Sequence, residues 1–184
     1  MPNWCNNNLR LEHTDPAMIQ RFVAAFKKGE AMQEFLPCPD ELRNEQAPYR
    51  GDNAEELVAK YGASDWYNWC VNNWGTKWDV GEDDCVEVVG PAVKASFDSA
   101  WAPPCQAYER LIELGFHVKA YYYEPGMCFV GVWEGDMENG WDDDYHDYSG
   151  ETSETVREAI GEELDDFFCI SEEMAQYEEE NVEE

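Results

Sequence analysis

The stretch Phe116-His117-Val118-Lys119-Ala120-Tyr121-Tyr122-Tyr123-Glu124-Pro125-Gly126-Met127-Cys128-Phe129-Val130-Gly131-Val132-Trp133 decides the fold. Phe116, Val118, Ala120 and Tyr122 alternate with His117, Lys119, Tyr121 and Tyr123, the period of two expected of a strand with one buried face. Pro125-Gly126 suits a type II turn, because proline presets the first central φ and glycine accepts the positive φ of the second. Met127 to Trp133 is then a returning strand.

Upstream, Pro103-Pro104 opens a helix with the apolar face Tyr108, Leu111 and Ile112 and a stop at Gly115. Before it, Val86 and Val88 alternate, Gly90-Pro91 turns, and Val93, Ala95 and Phe97 alternate again, the pattern of a hairpin. At the start, Leu9 and Leu11 mark a strand ending near His13. Asp15 then caps a helix with Pro16 at its first position, the face Ile19, Phe22, Val23 and Phe26, and a stop at Gly29. Residues 30–83 read as an insertion: a break at Leu36-Pro37-Cys38-Pro39, a polar stretch to about Asn53, a short helix through Leu57 and Val58 ended by Gly62, and another begun by Asp65. The resulting order, βαββαβ plus one strand, predicts an α+β, ferredoxin-like antiparallel sheet with helices on one face, over residues 1–134.

The charge is lopsided. The 184 residues carry 41 Asp and Glu against 12 Lys and Arg, a formal charge of -29, and 21 of those acids lie from Glu134 onward beside the single Arg157. Residues 135–184 are therefore expected to form an acidic extension. Within it Val156, Ile160, Leu164 and Phe167 recur at helical spacing, predicting one amphipathic helix at about 153–168, while the stretch ending at Glu184 is expected to fray. Such a field repels nucleic-acid phosphates and anionic lipid. The partner classes left are a basic protein and, weakly, a divalent cation; no direct nucleic-acid or membrane contact and no cofactor is expected.

The seven cysteines are odd in number, scattered and without a C-x-x-C pair, so they read as reduced thiols. The N-terminal phrase has no basic start or apolar run, and a cytoplasmic chain is expected. No phosphate loop, nucleophile elbow or dinucleotide fingerprint occurs, and a Cys5 pairing with His13 or His117 is weak ground for catalysis. A non-enzyme is expected.

Several phrases together resemble a known family: Met1-Pro2-Asn3-Trp4-Cys5-Asn6, Leu36-Pro37-Cys38-Pro39, Trp66-Tyr67-Asn68-Trp69-Cys70-Val71-Asn72-Asn73-Trp74-Gly75-Thr76-Lys77-Trp78-Asp79, Ala100-Trp101-Ala102-Pro103-Pro104 and Tyr123-Glu124-Pro125-Gly126-Met127. They are similar to the YubB-type ferredoxin-like family of phage- and plasmid-borne proteins. The resemblance spans roughly residues 1–134 and implies the same fold and a mobile-element origin in a bacterial host cell. It implies no catalytic residue.

Three sets of residues are candidates for function. Asp142, Asp143, Asp144 and Asp147, with Glu154, Glu158, Glu162, Asp165 and Asp166 on the outward side of the expected helix, form an acidic surface for a basic partner. Held on a folded scaffold, such carboxylates resemble a phosphate backbone and would inhibit a host nucleic-acid-binding or defence protein; the bland alternative is a charge that serves solubility. The run Asp142-Asp143-Asp144-Tyr145-His146-Asp147 also offers oxygen ligands to a hard cation, although it lacks calcium-loop spacing. Finally Trp69, Asn73, Lys77, Trp101 and Glu124 are candidates for a small-molecule or metal pocket beside the Trp-rich insertion, against the alternative that these tryptophans and the neighbouring asparagines only pack and cap. A third reading is a homo-oligomer joined through an open sheet edge.

Overall fold

The alternation beginning at His117 becomes β4 (His117–Glu124), and the returning strand is β5 (Phe129–Asp136). The computed structural model describes residues 3–181. Four further strands complete one antiparallel sheet: β1 (Trp4–Glu12), β2 (Val86–Val89), β3 (Ala92–Ala100) and β6 (Gly140–Asp147), in the order β2-β3-β1-β4-β5-β6. The protein is thus α+β. No described helix is long and apolar enough to cross a membrane.

One face of the sheet is roofed by α1 (Pro16–Phe26), α2 (Ala31–Phe35), α5 (Trp66–Trp74) and α6 (Cys105–Glu113). Leu9, Leu11, Val93, Ala95, Val118, Ala120 and Trp133 point into it and meet Phe22, Phe26, Tyr108 and Leu111. Phe22, Phe26 and Phe116 bury completely, each contributing about 1.5–3 kcal/mol. Asp15 caps α1 through Ala17 N–H at 2.9 Å, as its position before Pro16 predicts. Two small helices, α3 (Asp40–Arg43) and α4 (Ala54–Tyr61), fill the insertion, and Gly62 ends α4 at φ +77.

The opposite face is half covered. On it Val130 and Val132 of β5 and Tyr121 and Tyr123 of β4 meet a second cluster formed by Tyr148, Val156, Ile160, Leu164 and Ile170. These come from α7 (Val156–Ile160), α8 (Glu162–Phe168) and α9 (Ile170–Asn181) and the segment before them.

Here the structure corrects the sequence reading in three places. The boundary at 134 falls inside β5, and the acidic segment continues the sheet as β6. Asp136 explains the turn: its carboxylate accepts from Glu138 N–H at 2.7 Å and Asn139 N–H at 2.8 Å, and Gly140 takes φ +75. The expected single helix at 153–168 is instead α7 and α8, broken at Gly161 (φ +86), with α9 following the left-handed Cys169 (φ +57). Val156, Ile160 and Leu164 bury as their spacing predicts, but Phe167 stays half exposed and stacks on Tyr121 at 4.4 Å. Lastly, most of the stretch expected to fray is helical to Asn181; its end, 182–184, lies outside the described residues.

Candidate functional site

The five pocket candidates do not converge. Trp69 is buried edge-on against Trp74 at 5.9 Å, and Asn73 donates to the Trp69 carbonyl at 2.8 Å inside the last turn of α5. Glu124 is 1% exposed, and its carboxylate accepts from the backbone N–H groups of Gly126, at 3.0 Å, and Met127. It therefore closes the β4–β5 turn.

Lys77 and Trp101 do meet. The Lys77 ammonium lies 4.0 Å from the Trp78 ring centre and 5.9 Å from that of Trp101. Trp4 packs on Trp78 at 5.8 Å, and all three rings are close to half exposed. A cleft of about 280 Å³ beside them is lined by Asp79, Asp98 and Ser99. Trp101 has φ +76, a left-handed backbone that a bulky residue adopts only when its surroundings enforce it. They do: Trp101 N–H donates to the Asn3 carbonyl at 3.0 Å, Ser99 Oγ donates to the Ala102 carbonyl at 2.7 Å, and Thr76 Oγ1 donates to the Ala100 carbonyl at 3.0 Å.

The asparagines divide between packing and surface. Asn7 is fully buried and donates to the Cys5 carbonyl at 2.7 Å and Ser99 Oγ at 2.8 Å, and Asn68 sits on the buried cap Asp65 at 2.9 Å. They form no common pocket floor.

The acidic candidates lie on β6 and the helices after it. β6 is an edge strand, paired only with β5. Opposite Val132 and Glu134, Asp144 and Asp142 share the half-covered face, while Asp143, opposite Trp133, points to the other. Strand alternation thus splits the triple-Asp run that was considered for a cation, and among the described residues no three metal-ligating side chains converge. Asp144 contacts His146 Nε2 at 3.0 Å, Asp147 accepts from Ser149 N–H at 2.8 Å, and Asp143 accepts from Tyr122 Oη at 2.6 Å. Burial pushes the Asp143 carboxyl above the usual range, reinforced by Asp142 and Asp144. The hydrogen bonds from Ser149 hold that of Asp147 below it.

Glu154, Glu158 and Glu162 are exposed around α7 and the start of α8, while Asp166 pairs with Arg157 at 2.6 Å. Asp165 leaves the acidic surface altogether. It is 2% exposed and accepts from Ser171 N–H at 2.7 Å, Ser171 Oγ at 2.8 Å and Arg157 at 2.8 Å. The break at Gly161 turns it from the outward side toward α9.

A thiol–imidazole pair is also removed. Cys5 is buried, its thiol pushed up to about 12 chiefly by burial. His13 lies about 27 Å along the strand direction, bonded to the Leu114 carbonyl at 3.1 Å, and His117 sits at the same end against Glu134 at 3.2 Å.

No family model matches the chain, and the search of curated proteins returned no match. Among solved structures it is similar to the crystal structure of protein api92 from Yersinia pseudotuberculosis, of the DUF1281 family, at 12% identity and a TM-score of 0.48 over 78% of this chain and 97% of that one.

Proposed function

We propose that the chain is a non-catalytic binding protein whose acidic edge, formed by β6, α7 and the start of α8, occupies a basic nucleic-acid-binding site on a partner protein. The observation that carries this reading is the mounting of the carboxylates. Asp142 and Asp144 stand on a hydrogen-bonded strand, and Glu158 stands on a helix anchored by the buried Val156 and Ile160. Rigid charges lose little entropy on binding, whereas charges kept only for solubility need no such anchoring. Alternate residues of β6 supply one outward carboxylate per about 7 Å, sparser than the one charge per about 1.7 Å of a duplex axis. The α7–α8 carboxylates beside it are what bring the surface closer to that density.

In the same reading β2-β3-β1-β4 with α1 and α6 is a ferredoxin-like core, extended at one side by β5 and β6. The strand order and the two helical crossovers support this. The YubB-type likeness and its bacterial, mobile-element origin belong to the proposal, with a host defence protein as the partner class.

Capture from a bacterial lysate with the full chain is the test. The expected product is a basic protein that duplex DNA or RNA displaces from the chain. A partner that holds nucleic acid and this chain together would contradict the mimic.

A second reading places a ligand or partner anchor at Lys77, Trp78, Trp101 and Trp4. Three half-exposed tryptophans around one ammonium form the kind of patch that marks binding surfaces. Substituting Trp101→Ala separates the two: capture is unchanged if the acidic edge is the site and lost if the tryptophan cluster is.

A further inference from the structure

Cys38 and Cys70 come from different elements, and their thiols meet in a hydrogen bond where the Leu36-Pro37-Cys38-Pro39 break packs on α5. The backbone on both sides is pinned. Trp74 Nε1 donates to the Leu36 carbonyl at 2.8 Å, and Cys38 N–H donates to Gln33 Oε1 at 3.1 Å. The Asp79 carboxylate, just beyond α5, accepts from the N–H groups of Met32 and Gln33 at 2.7 and 2.8 Å. Thiols presented to one another in this way need only a side-chain rotation to reach bonding distance. Cys5 and Cys105, by contrast, sense one another's charge but share no hydrogen bond.

Both sulfurs belong to buried residues, yet both residues line a groove of about 270 Å³ with Arg43, Trp66 and Trp74, which gives a molecule of peroxide size a path to them. The contact is not symmetric. Cys38 Sγ donates to the Pro39 carbonyl at 3.9 Å, which leaves its lone pairs to accept from Cys70. Burial raises both thiols. For Cys38 the bond from Cys70 and the Arg43 guanidinium oppose the rise, against Asp40; for Cys70 the charge and bond of Cys38 and the charge of Asp79 add to it, against Arg43. Cys38 is therefore the first to lose its proton. Raised thiols react slowly, so the pair stays reduced until an oxidant accumulates.

We infer that Cys38 and Cys70 form an oxidisable dithiol, Cys38 attacking and Cys70 resolving, whose disulfide staples the break before α3 to α5. The oxidant is a hydroperoxide. The Cys38 thiolate attacks one peroxide oxygen, an S–O bond forms as the O–O bond breaks, and the departing hydroxide leaves as water with the Cys38 proton. Cys70 sulfur then attacks Cys38 sulfur; the S–S bond forms, the S–O bond breaks, and a second water carries away the Cys70 proton. Two thiols are oxidised by two electrons and one peroxide is reduced. The pair takes no residue from the acidic edge, so the two proposals stand or fall separately.

The test is treatment of the folded full chain with hydrogen peroxide, followed by alkylation in denaturant, tryptic digestion and mass spectrometry. The expected product is peptide 29–43 joined to peptide 61–77, about 2 Da lighter than their sum and separated by dithiothreitol. With dimedone present, Cys70→Ala is expected to trap a sulfenic acid at Cys38, and Cys38→Ala to trap none at Cys70. Oxidation of the parent chain is also expected to raise its thermal unfolding midpoint by about 5–10 °C, reversed by dithiothreitol, because the link restricts the unfolded chain. Cys38 and Cys70 both recovered alkylated after peroxide would overturn the pair. Dimedone at Cys70 instead of Cys38 would overturn the order of attack, and an unchanged or lowered midpoint in the linked chain would overturn the staple.

Discussion

Asp165 and Asp166 share Arg157, at 2.8 and 2.6 Å, but only Asp165 is buried and also receives both the N–H and the hydroxyl of Ser171. Removing the buried acid strands both Ser171 donors and leaves Arg157 with Asp166 alone; removing the exposed one loosens a solvated pair. Asp165→Ala is accordingly expected to lower unfolding free energy by about 2–4 kcal/mol and Asp166→Ala by under about 1 kcal/mol, as measured by urea titration. Burial alone would raise the Asp165 carboxyl, but the bonds from Ser171 and Arg157 outweigh it and lower it. A carboxyl lowered on folding stabilises the fold above its unfolded value near 4, and that contribution is lost as pH falls through the lower folded value. The Asp165 variant should therefore lose its deficit relative to the parent as pH falls below about 4. None of this was legible in the sequence. On a continuous helix Asp165 falls on the outer side, and periodicity does not register the break at Gly161. Of the five pocket candidates only Lys77 and Trp101 come together from separate parts of the chain, with the ammonium 5.9 Å from the ring centre.

At the scale of elements, α7, α8 and α9 form one docked unit whose joints are Gly161 and Cys169. Cys169 holds φ +57, exposes its side chain and caps α8 through its N–H to the Asp165 carbonyl. A left-handed backbone costs an L residue about 1 kcal/mol relative to glycine, so Cys169→Gly should stabilise the chain by roughly that amount in the same urea experiment. A loss of stability would mean that the thiol packs more than its exposure indicates. The two strands flanking Pro125-Gly126 and the caps at Asp15 and Asp65 were legible from their periods and local hydrogen bonds, but the type II turn was not. Gly126 takes no positive φ, Cys128 holds φ +56 instead, and the returning strand starts at Phe129 rather than Met127. β6 was not, although its signals were present. Trp141, Asp143 and Tyr145 alternate with Asp142, Asp144 and His146 after the turn former Asn139-Gly140, but aspartate is depleted in strands, and the run of acids masks the alternation. Tyr121 and Tyr123, on the face expected to meet water, were a further sign that something covers it.

For the whole molecule, charge and fold are coupled more tightly than a domain with an acidic tail implies. Cutting after Trp133 would sever β5 in mid-strand and uncover Val130 and Val132, so the acidic segment has to be tested by neutralising side chains in place. The two sheet edges are guarded differently: β2 is four residues long, and β6 carries a carboxylate at half its positions, which discourages pairing with a second copy. The most direct test of the acidic edge is the affinity of the captured partner, over a salt series, for the parent chain and for the variant Asp142→Asn, Asp144→Asn, Glu154→Gln and Glu158→Gln. The account predicts that the parent's affinity falls steeply with salt, and that the variant binds about tenfold or more weakly at low salt with a shallower slope. Equal affinities and equal slopes would contradict it.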